Sequence, residues 1–292
     1  MERRTSIENE RKTSADTTKV IETINEMFEE AIVVTDVGQH QMFTTQYLEL
    51  TEKKQLLTSG GLGTMGYGFP GAIGAQLGNP DTPVIAISGD GGMQMNIQEF
   101  ATAVGQELPL ILCVFNNNYL GMVRQWQKLF YGKRYSMTCL RARKSCEGKC
   151  GTPECECPPY TPDFVKLAES YGAKGIRVFK PEEIKEAFEE ARKNTKTPTL
   201  IEFIMDPEDL VYPMIKAGRN IRRDVDGLLG GAKIMNTTMK KRWISLYVEN
   251  QVGVLPKISG LFSGKIIQFS ESLTVGTTED PTISRMTIEI SQ

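Results

Sequence analysis

The most constraining feature of this chain is a pair of short apolar runs that each end in polar turn residues. Residues 83–88 lead into a Gly-Asp-Gly centred on Asp90, and residues 110–115 lead into an Asn-Asn pair that ends at Asn117. Such runs, rich in branched side chains and bounded by turn formers, are typical of buried parallel strands. Residues 94–105 predict one crossover helix between them. Asp90 and Asn117 are therefore expected at the carboxyl ends of two strands, where open α/β sheets bind ligands.

The residue types at these strand ends suit a magnesium–diphosphate. Carboxylate and amide oxygens are hard ligands, and Mg²⁺ takes one or two protein carboxylates with phosphate oxygens completing its shell. The glycines beside Asp90 allow a sharp turn and a close approach of the backbone to a phosphate. A helix that begins at Gln94 would add a favourable partial positive charge.

Three further segments carry a resemblance to a known family. They are TSGGLGTMGYGFP at residues 58–70, MNIQE at residues 95–99 and GMVRQWQ at residues 121–127. Together with the Gly-Asp-Gly and Asn-Asn turns, they resemble the large subunit of acetohydroxyacid synthase (acetolactate synthase), a thiamine diphosphate enzyme. The resemblance extends from about Thr17 to about Ile221 and is specific, because several separated segments agree in order.

The resemblance implies a role for each matching residue. Asp90 and the Asn117 side chain would ligate Mg²⁺ together with the carbonyl of Tyr119. Met65 would lie beneath the cofactor and force its bent shape, and Trp126 would line the pocket of the second 2-ketoacid. The residues that it implies around the cofactor are Gly38, Gln39, His40, Gly63, Met65, Gly89, Asp90, Gly91, Gly92, Asn117, Tyr119, Gly121 and Met122.

The residue types alone leave some of these roles open. Met65 and Trp126 are also compatible with ordinary core positions. His40 is the only histidine of the chain, and a single histidine is often structural, although its place in Asp-Val-Gly-Gln-His favours phosphate binding. Asp90 has almost no structural alternative, because a carboxylate at a buried strand end is costly without a metal or hydrogen-bond donors.

The resemblance also implies a partner. In this family the cofactor lies between a diphosphate domain and a pyrimidine domain, usually of different subunits, and the pyrimidine domain supplies an activating glutamate. Family large subunits carry that domain and an FAD-binding domain ahead of the segment seen here. This chain enters the diphosphate domain by about residue 17. We therefore expect a component that is inactive alone, needs a pyrimidine-domain polypeptide and forms at least a dimer.

Composition is consistent with a cytoplasmic protein. The net charge of −2 and the pI near 5.8 give no reason to expect binding to nucleic acid or a membrane. No apolar stretch is long enough to span a bilayer. The polar residues 1–16 lack a secretory signal pattern and are expected to be a disordered leader. They precede a cofactor-binding domain over residues 17–215 and a linker over residues 216–238.

Five of the six cysteines lie within residues 139–159, which resemble an insertion into the family pattern. Four thiols in Cys-x3-Cys-x4-Cys-x-Cys order could hold Zn²⁺ or an iron–sulfur cluster. The spacing differs from the usual paired Cys-x2-Cys, so an exposed thiol-rich loop is the alternative. The four candidate ligands are Cys146, Cys150, Cys155 and Cys157.

After this insertion the α/β pattern resumes. Residues 163–171 and 181–193 predict helices, and residues 175–179 and 199–204 predict strands. The fold class is thus predicted to be a doubly wound, mostly parallel α/β sheet.

Residues 239–292 predict a second, partial domain with β-α-β-β order. They resemble the ACT domain of the acetohydroxyacid synthase regulatory small subunit, a ferredoxin-like fold truncated here before its second helix and last strand. The resemblance implies a valine-binding turn formed by Asn250, Gly253 and Leu255. Residues 266–271 depart from the family's Gly-Tyr-Asn-Ile, so valine binding is expected to be weak or absent.

Three functions fit these observations. The first is a component of acetolactate synthase, which condenses two pyruvates, or pyruvate with 2-ketobutyrate, in branched-chain amino-acid synthesis. The second is another thiamine diphosphate carboligase or oxidase, which Trp126 and the ACT segment disfavour. The third is a cofactor-binding or regulatory module without activity.

Overall fold

The computed structural model describes residues 14–142, 144, 161–212 and 214, together with the backbone of three strands within residues 241–291. The chain divides into two compact units, Met1–Val211 and Tyr212–Gln292, which are described separately.

A six-stranded parallel sheet forms the first unit, in the order β2-β1-β3-β4-β6-β5. The doubly wound parallel fold predicted from the sequence is confirmed. Its strands are β1 (Ala31–Thr35), β2 (Lys54–Thr58), β3 (Val84–Gly89), β4 (Ile111–Asn116), β5 (Lys174–Val178) and β6 (Thr199–Ile204). From β1 the chain passes to one side of the sheet to form β2 and to the other to form β3 and β4. The switch point therefore lies between β1 and β3, where such sheets bind ligands.

Helices cover both faces of this sheet. They are α1 (Thr17–Met27), α2 (Gln39–Tyr47), α3 (Gly68–Gly78), α4 (Asp90–Met93), α5 (Phe100–Gly105), α6 (Gly121–Phe130), α7 (Phe164–Ser170) and α8 (Ile184–Lys193). Every residue of β3 and of β4 is buried. Successive side chains enter opposite cores: Ile85 and Ile87 pack on one face, and Val84 and Ala86 on the other. Among the described helices, none has the length and apolar character that crossing a membrane requires.

The crossover between β3 and β4 differs from the prediction of one helix over residues 94–105. It begins as the single turn α4 at Asp90, breaks, and resumes as a 3-10 turn, Ile97–Glu99, followed by α5. The break occurs because the Asn96 side chain leaves the helical path and donates a hydrogen bond to the carbonyl of Gly66 at 2.7 Å. The helix N-terminus at the site is therefore that of α4 and does not begin at Gln94.

The other four elements predicted for the first unit are present in the structure. The helix predicted at 163–171 is α7, which Asp163 caps by accepting a hydrogen bond from the Lys166 amide at 3.3 Å. The strands predicted at 175–179 and 199–204 are β5 and β6. The helix predicted at 181–193 begins as a 3-10 turn, Pro181–Glu183, and continues as α8.

Three antiparallel strands are described in the second unit: β7 (Lys241–Glu249), β8 (Phe269–Thr277) and β9 (Ile283–Ser291), in the order β7-β9-β8. Placing the third strand between the first two agrees with the predicted ferredoxin-like βαββ order. The predicted valine-binding turn at Asn250, Gly253 and Leu255 lies outside the described residues. So do the predicted linker at 216–238 and the four candidate thiol ligands, Cys146, Cys150, Cys155 and Cys157.

Candidate functional site

A cleft opens where β1, β3 and β4 end, and it encloses about 710 Å³ including its mouth. The structure brings together nearly all of the residues that the sequence places around a cofactor. Those that line the cleft are Gly38, Gln39, His40, Met65, Gly89, Asp90, Gly91, Gly92, Asn117, Tyr119, Gly121 and Met122. Thr17, Asp206 and Asp209 also line it and were not singled out from the sequence.

Two predicted site residues are not among those that line this cleft. Gly63 lies in an exposed loop with φ of +64°, a conformation that favours glycine whatever it contacts. Trp126 projects from α6 with 46% of its surface exposed. An exposed tryptophan does not belong to the core, which removes the core alternative considered for it. Its proposed contact with substrate stays a prediction.

Asp90 is buried at the end of β3 with one carboxylate oxygen unpartnered. Oδ1 accepts a hydrogen bond from the Gly91 amide at 2.9 Å. Oδ2 is buried and has no hydrogen-bond partner. Burial raises the pKa of Asp90 to about 7, although backbone amides, including those of Asn118 and Tyr119, partly oppose the shift. An ionised carboxylate in this position needs a cation or further hydrogen-bond donors at Oδ2.

The loop that follows β4 aims Asn117 at the same cleft. Asn117 Oδ1 accepts a hydrogen bond from the Tyr119 amide at 3.0 Å, and Asn118 adopts a left-handed conformation with φ of +62°. The Asn118 amide donates to Asn116 Oδ1 at 3.0 Å, and the Thr161 hydroxyl donates to Asn118 Oδ1 at 2.9 Å. These contacts hold the turn, with Asn118 in its left-handed conformation, so that Asn117 lines the same cleft as Asp90.

An ion pair between Glu202 and Arg177 supports this loop by holding Asn116, the last residue of β4. Asn116 Nδ2 donates to Glu202 Oε1 at 2.7 Å, and Arg177 Nε donates to Glu202 Oε2 at 2.7 Å. Arg177 also pairs with Asp163. Glu202 is fully buried within β6, and such a charge is retained only when its oxygens are satisfied. Sequence reasoning missed this support, although a glutamate inside an otherwise apolar strand was the available signal.

Asp36, at the end of β1, organises the loop that carries Met65. Its carboxylate accepts hydrogen bonds from the amides of Val37 at 2.7 Å, Gly66 at 2.9 Å and Gly68 at 2.9 Å. A carboxylate that satisfies several amides at once fixes the loop around it. Sequence reasoning passed over this residue because its three partners are mostly remote in the chain.

His40 lies at the start of α2 with its ring buried. Burial lowers the pKa of His40 to about 4, against the opposing effects of the Asp36 charge and of a hydrogen bond to the Asp36 backbone. Nε2 is buried and has no hydrogen-bond partner. An anionic oxygen in the cleft would favour the protonated ring, in which Nε2 becomes a donor to that oxygen.

Because His40 is the only histidine of the chain, its pKa can be measured without interference from other rings. In the free protein the ring is expected to titrate near the lowered value of about 4, and Mg²⁺ with inorganic diphosphate should raise that pKa toward or above 6.5. Since the pKa is lower in the folded state than in the unfolded state, His40 should also reduce stability as pH falls from about 6.5 to about 4. Proton–carbon NMR of the ring measures the pKa. Titration near 6.5 in the free protein would contradict the buried placement.

Several glycines of the cleft are required by the packing of the protein itself. A Cβ on Gly121 would lie 2.1 Å from Gln39 Oε1, and one on Gly92 would lie 2.5 Å from Asp36 Oδ1. A Cβ on Gly89 would lie 2.9 Å from His40 Nδ1. These glycines therefore make room for the side chains that shape the site. The close approach of their backbone to a phosphate stays a prediction.

The donor set fits Mg²⁺. Within the described parts of the chain, no three His, Cys, Asp or Glu side chains converge as a metal-binding group. Asp90 with an amide oxygen and a carbonyl oxygen would instead supply one carboxylate and two neutral hard ligands. Magnesium commonly uses such a set and completes its octahedron with phosphate and water oxygens.

Comparisons with known proteins agree with this geometry. Residues 36–203 match the C-terminal TPP-binding domain of thiamine pyrophosphate enzymes, and residues 244–292 match the AHAS small subunit-like ACT domain. A solved thiamine diphosphate-dependent 4-hydroxybenzoylformate decarboxylase from Rhodococcus jostii RHA1 is similar with a TM-score of 0.53 and 26% identity, over 66% of this chain and 33% of that one.

Fold and site together define a domain that binds a diphosphate cofactor at the switch point of a parallel sheet. The chain belongs to the thiamine pyrophosphate enzymes. It is 44% identical over 197 residues to the probable acetolactate synthase large subunit of Methanococcus aeolicus. The aligned residues make up 68% of this chain and 30% of the relative. The acetolactate synthase large subunit of Corynebacterium glutamicum is 43% identical over 72% of this chain and 32% of the relative. The chain thus spans about a third of the length of these relatives.

Proposed function

We propose that this chain supplies the diphosphate-binding half of an acetolactate synthase-type carboligase. The reaction would decarboxylate pyruvate and join the two-carbon product to a second pyruvate or to 2-ketobutyrate. The observation that carries the proposal is the unpartnered, buried Oδ2 of Asp90 beside Asn117 at the switch point. The relatives named as acetolactate synthase large subunits support the choice of reaction.

Each residue of the cleft would have a defined task. Thiamine diphosphate, when bound, supplies a carbon nucleophile that also accepts the electrons released on decarboxylation. Asp90, Asn117 and the Tyr119 carbonyl would hold Mg²⁺ against its diphosphate, and His40 would contact a phosphate oxygen. Met65, whose methyl group reaches toward Gly91, would support the bent form of the cofactor. Trp126 would line the acceptor pocket.

Catalysis would require a pyrimidine domain with its activating glutamate, which in this family usually belongs to a different subunit, so the active species would be at least a dimer. Mixing the full chain with purified pyrimidine-domain protein, thiamine diphosphate, Mg²⁺, FAD and pyruvate should produce acetolactate, measured colorimetrically after conversion to acetoin. The same mixture with Asp90→Asn should produce none. Turnover of pyruvate to another product would favour a different carboligase or oxidase. Cofactor binding without turnover would favour a non-catalytic module.

The second unit would serve regulation. Its match to the small-subunit ACT domain supports this role, and the departure at residues 266–271 supports weak or absent valine binding. Titration calorimetry with valine tests the expectation, and saturable binding in the micromolar range would overturn it.

The thiol-rich segment keeps its two alternatives. Cys139 pairs through its backbone with Tyr119 in an antiparallel bridge, so the segment begins beside the loop that follows β4. A cluster formed by Cys146, Cys150, Cys155 and Cys157 predicts near-stoichiometric zinc or iron in the purified protein. If elemental analysis of a folded sample finds no zinc or iron, the alternative of an exposed thiol-rich loop is supported.

A further inference from the structure

The side chain of Gln125, in α6, makes hydrogen bonds both to α2 and to the segment that follows β6. Gln125 is fully buried, although it lies in a helix whose neighbouring residue, Trp126, is exposed. Its side chain makes hydrogen bonds to Val211 and to Gln39. Both partners are remote in sequence, and a fully satisfied polar group at such a position specifies one arrangement of the elements that it joins.

Backbone groups fix which way the Gln125 amide points. Its Nε2 donates to the Val211 carbonyl at 2.7 Å, and its Oε1 accepts from the Val211 amide at 3.0 Å. A reversed side chain would bring donor against donor and acceptor against acceptor. The oxygen of Gln125 must therefore face the interior, where it also accepts from Gln39 Nε2 at 2.7 Å.

The orientation of the Gln125 amide then determines the orientation of the Gln39 amide. Gln39 Nε2 faces two acceptors, Gln125 Oε1 and the Asp209 carbonyl, the latter at 3.1 Å. Gln39 Oε1 must therefore point the other way, where it accepts from Asn117 Nδ2 at 3.3 Å. Together with the Tyr119 amide, which donates to Asn117 Oδ1 at 3.0 Å, this contact holds Asn117 with its nitrogen toward Gln39 and its oxygen, the atom that a metal requires, on the opposite side.

We propose that Gln125 is a positioning residue for the metal site, acting through Gln39 to orient the amide of Asn117. This inference rests on the proposed function, because Asn117 is a metal ligand only if the cleft binds Mg²⁺–thiamine diphosphate. Gln125 touches neither metal nor substrate. Its effect is to set the direction of an amide whose oxygen and nitrogen have similar size and opposite polarity.

A double-mutant cycle on the full chain tests the proposal. The variants are Gln125→Met, Gln39→Met and the double variant, which keep the side-chain volume and remove the hydrogen bonds. The probe is Mn²⁺ in the presence of thiamine diphosphate, followed by electron paramagnetic resonance. Each single variant should weaken Mn²⁺ binding about tenfold, the loss expected of one buried hydrogen bond. The double variant should lose no more than Gln39→Met alone, about tenfold, because Gln125 acts on Asn117 only through Gln39.

Gln127→Met is the matched control. This glutamine lies in the same helix and bonds to the Ser136 backbone, away from the cleft, so Mn²⁺ affinity should match the wild type. A role limited to stability would lower the melting temperature of Gln125→Met and leave Mn²⁺ affinity unchanged, which would overturn the proposal. A loss near a hundredfold in the double variant would also overturn it, because the two residues would then act independently.

A second variant keeps the test available if Gln125→Met does not fold. Gln125→Asn keeps a neutral amide but shortens its reach to both Val211 and Gln39, so its Mn²⁺ affinity should fall between those of the wild type and Gln39→Met. An affinity equal to that of the wild type would contradict the proposal. If the wild-type chain binds no Mn²⁺–thiamine diphosphate, the proposed function itself fails. If it binds and the Gln125 variants bind equally, only this inference fails.

Discussion

Replacement of Asp90 by asparagine is expected to abolish Mg²⁺-dependent cofactor binding while leaving the free protein as stable as the wild type, or more stable. The variant removes the only carboxylate among the proposed ligands, so affinity for Mg²⁺–thiamine diphosphate should fall by about a hundredfold or more. It also removes a buried charge whose Oδ2 has no hydrogen-bond partner. Function and stability should therefore change in opposite directions.

The stability of the metal-free protein should depend on pH because the pKa of Asp90 is raised, to about 7 in the folded protein from an ordinary value of 3.8. An acid with a higher pKa in the folded state lowers stability as pH rises from about 4 to about 7. Above pH 7 the full cost is present, on the order of 4 kcal/mol in the absence of metal. Asp90→Asn should recover part of that free energy in the metal-free protein.

Chemical denaturation near pH 8, with and without Mg²⁺ and thiamine diphosphate, measures both effects. The wild type should be stabilised by the ligands and Asp90→Asn should not. The control is Asp81→Asn, an exposed acid that should change neither quantity. A variant that loses stability in the absence of metal and still responds to Mg²⁺ would show that Asp90 is structural.

The second large effect is expected at Asp36. Asp36→Ala leaves the buried amides of Gly66 and Gly68, and that of Val37, without their acceptor. Each buried donor left unpaired costs about 1–3 kcal/mol, so a loss of about 3–5 kcal/mol in the free energy of unfolding is expected. The loop that carries Met65 should lose its fixed conformation, which would also weaken cofactor binding.

Urea unfolding followed by the fluorescence of Trp126, in a Trp243→Phe background, reports on the first unit alone. The same background with Asp81→Asn gives the effect of removing an exposed acid, expected within about 0.5 kcal/mol. A change of less than about 1 kcal/mol for Asp36→Ala would show that the three amides find other partners.

The strands and their ends could be predicted because the signal is local. Residues 199–204 are mostly apolar, half of them are β-branched, and they form β6. The chemistry of Asp90 was also local, since a polar residue ending a buried strand falls at the ligand-binding edge of the sheet. Resemblance to a family added the loop residues, such as Met65 and His40, that no periodicity identifies.

The supporting contacts could not be predicted, because each joins residues far apart in the chain. The break at Asn96 depends on the carbonyl of Gly66. The loop that follows β4 depends on Glu202, which accepts a hydrogen bond from Asn116 at the end of that strand. Gln125 gave no signal in the sequence, since its burial depends on a segment that returns to α6 only after β6. Tertiary hydrogen bonds thus decided what local propensity left open.

Titration calorimetry of thiamine diphosphate into the full chain, with Mg²⁺ and with EDTA, is the most direct measurement of the proposed cofactor site. We expect saturable binding of one cofactor per chain with Mg²⁺ and loss of that binding with EDTA. If neither thiamine diphosphate nor inorganic diphosphate binds a folded sample in the presence of Mg²⁺, the assignment of this cleft as a magnesium–diphosphate site is wrong.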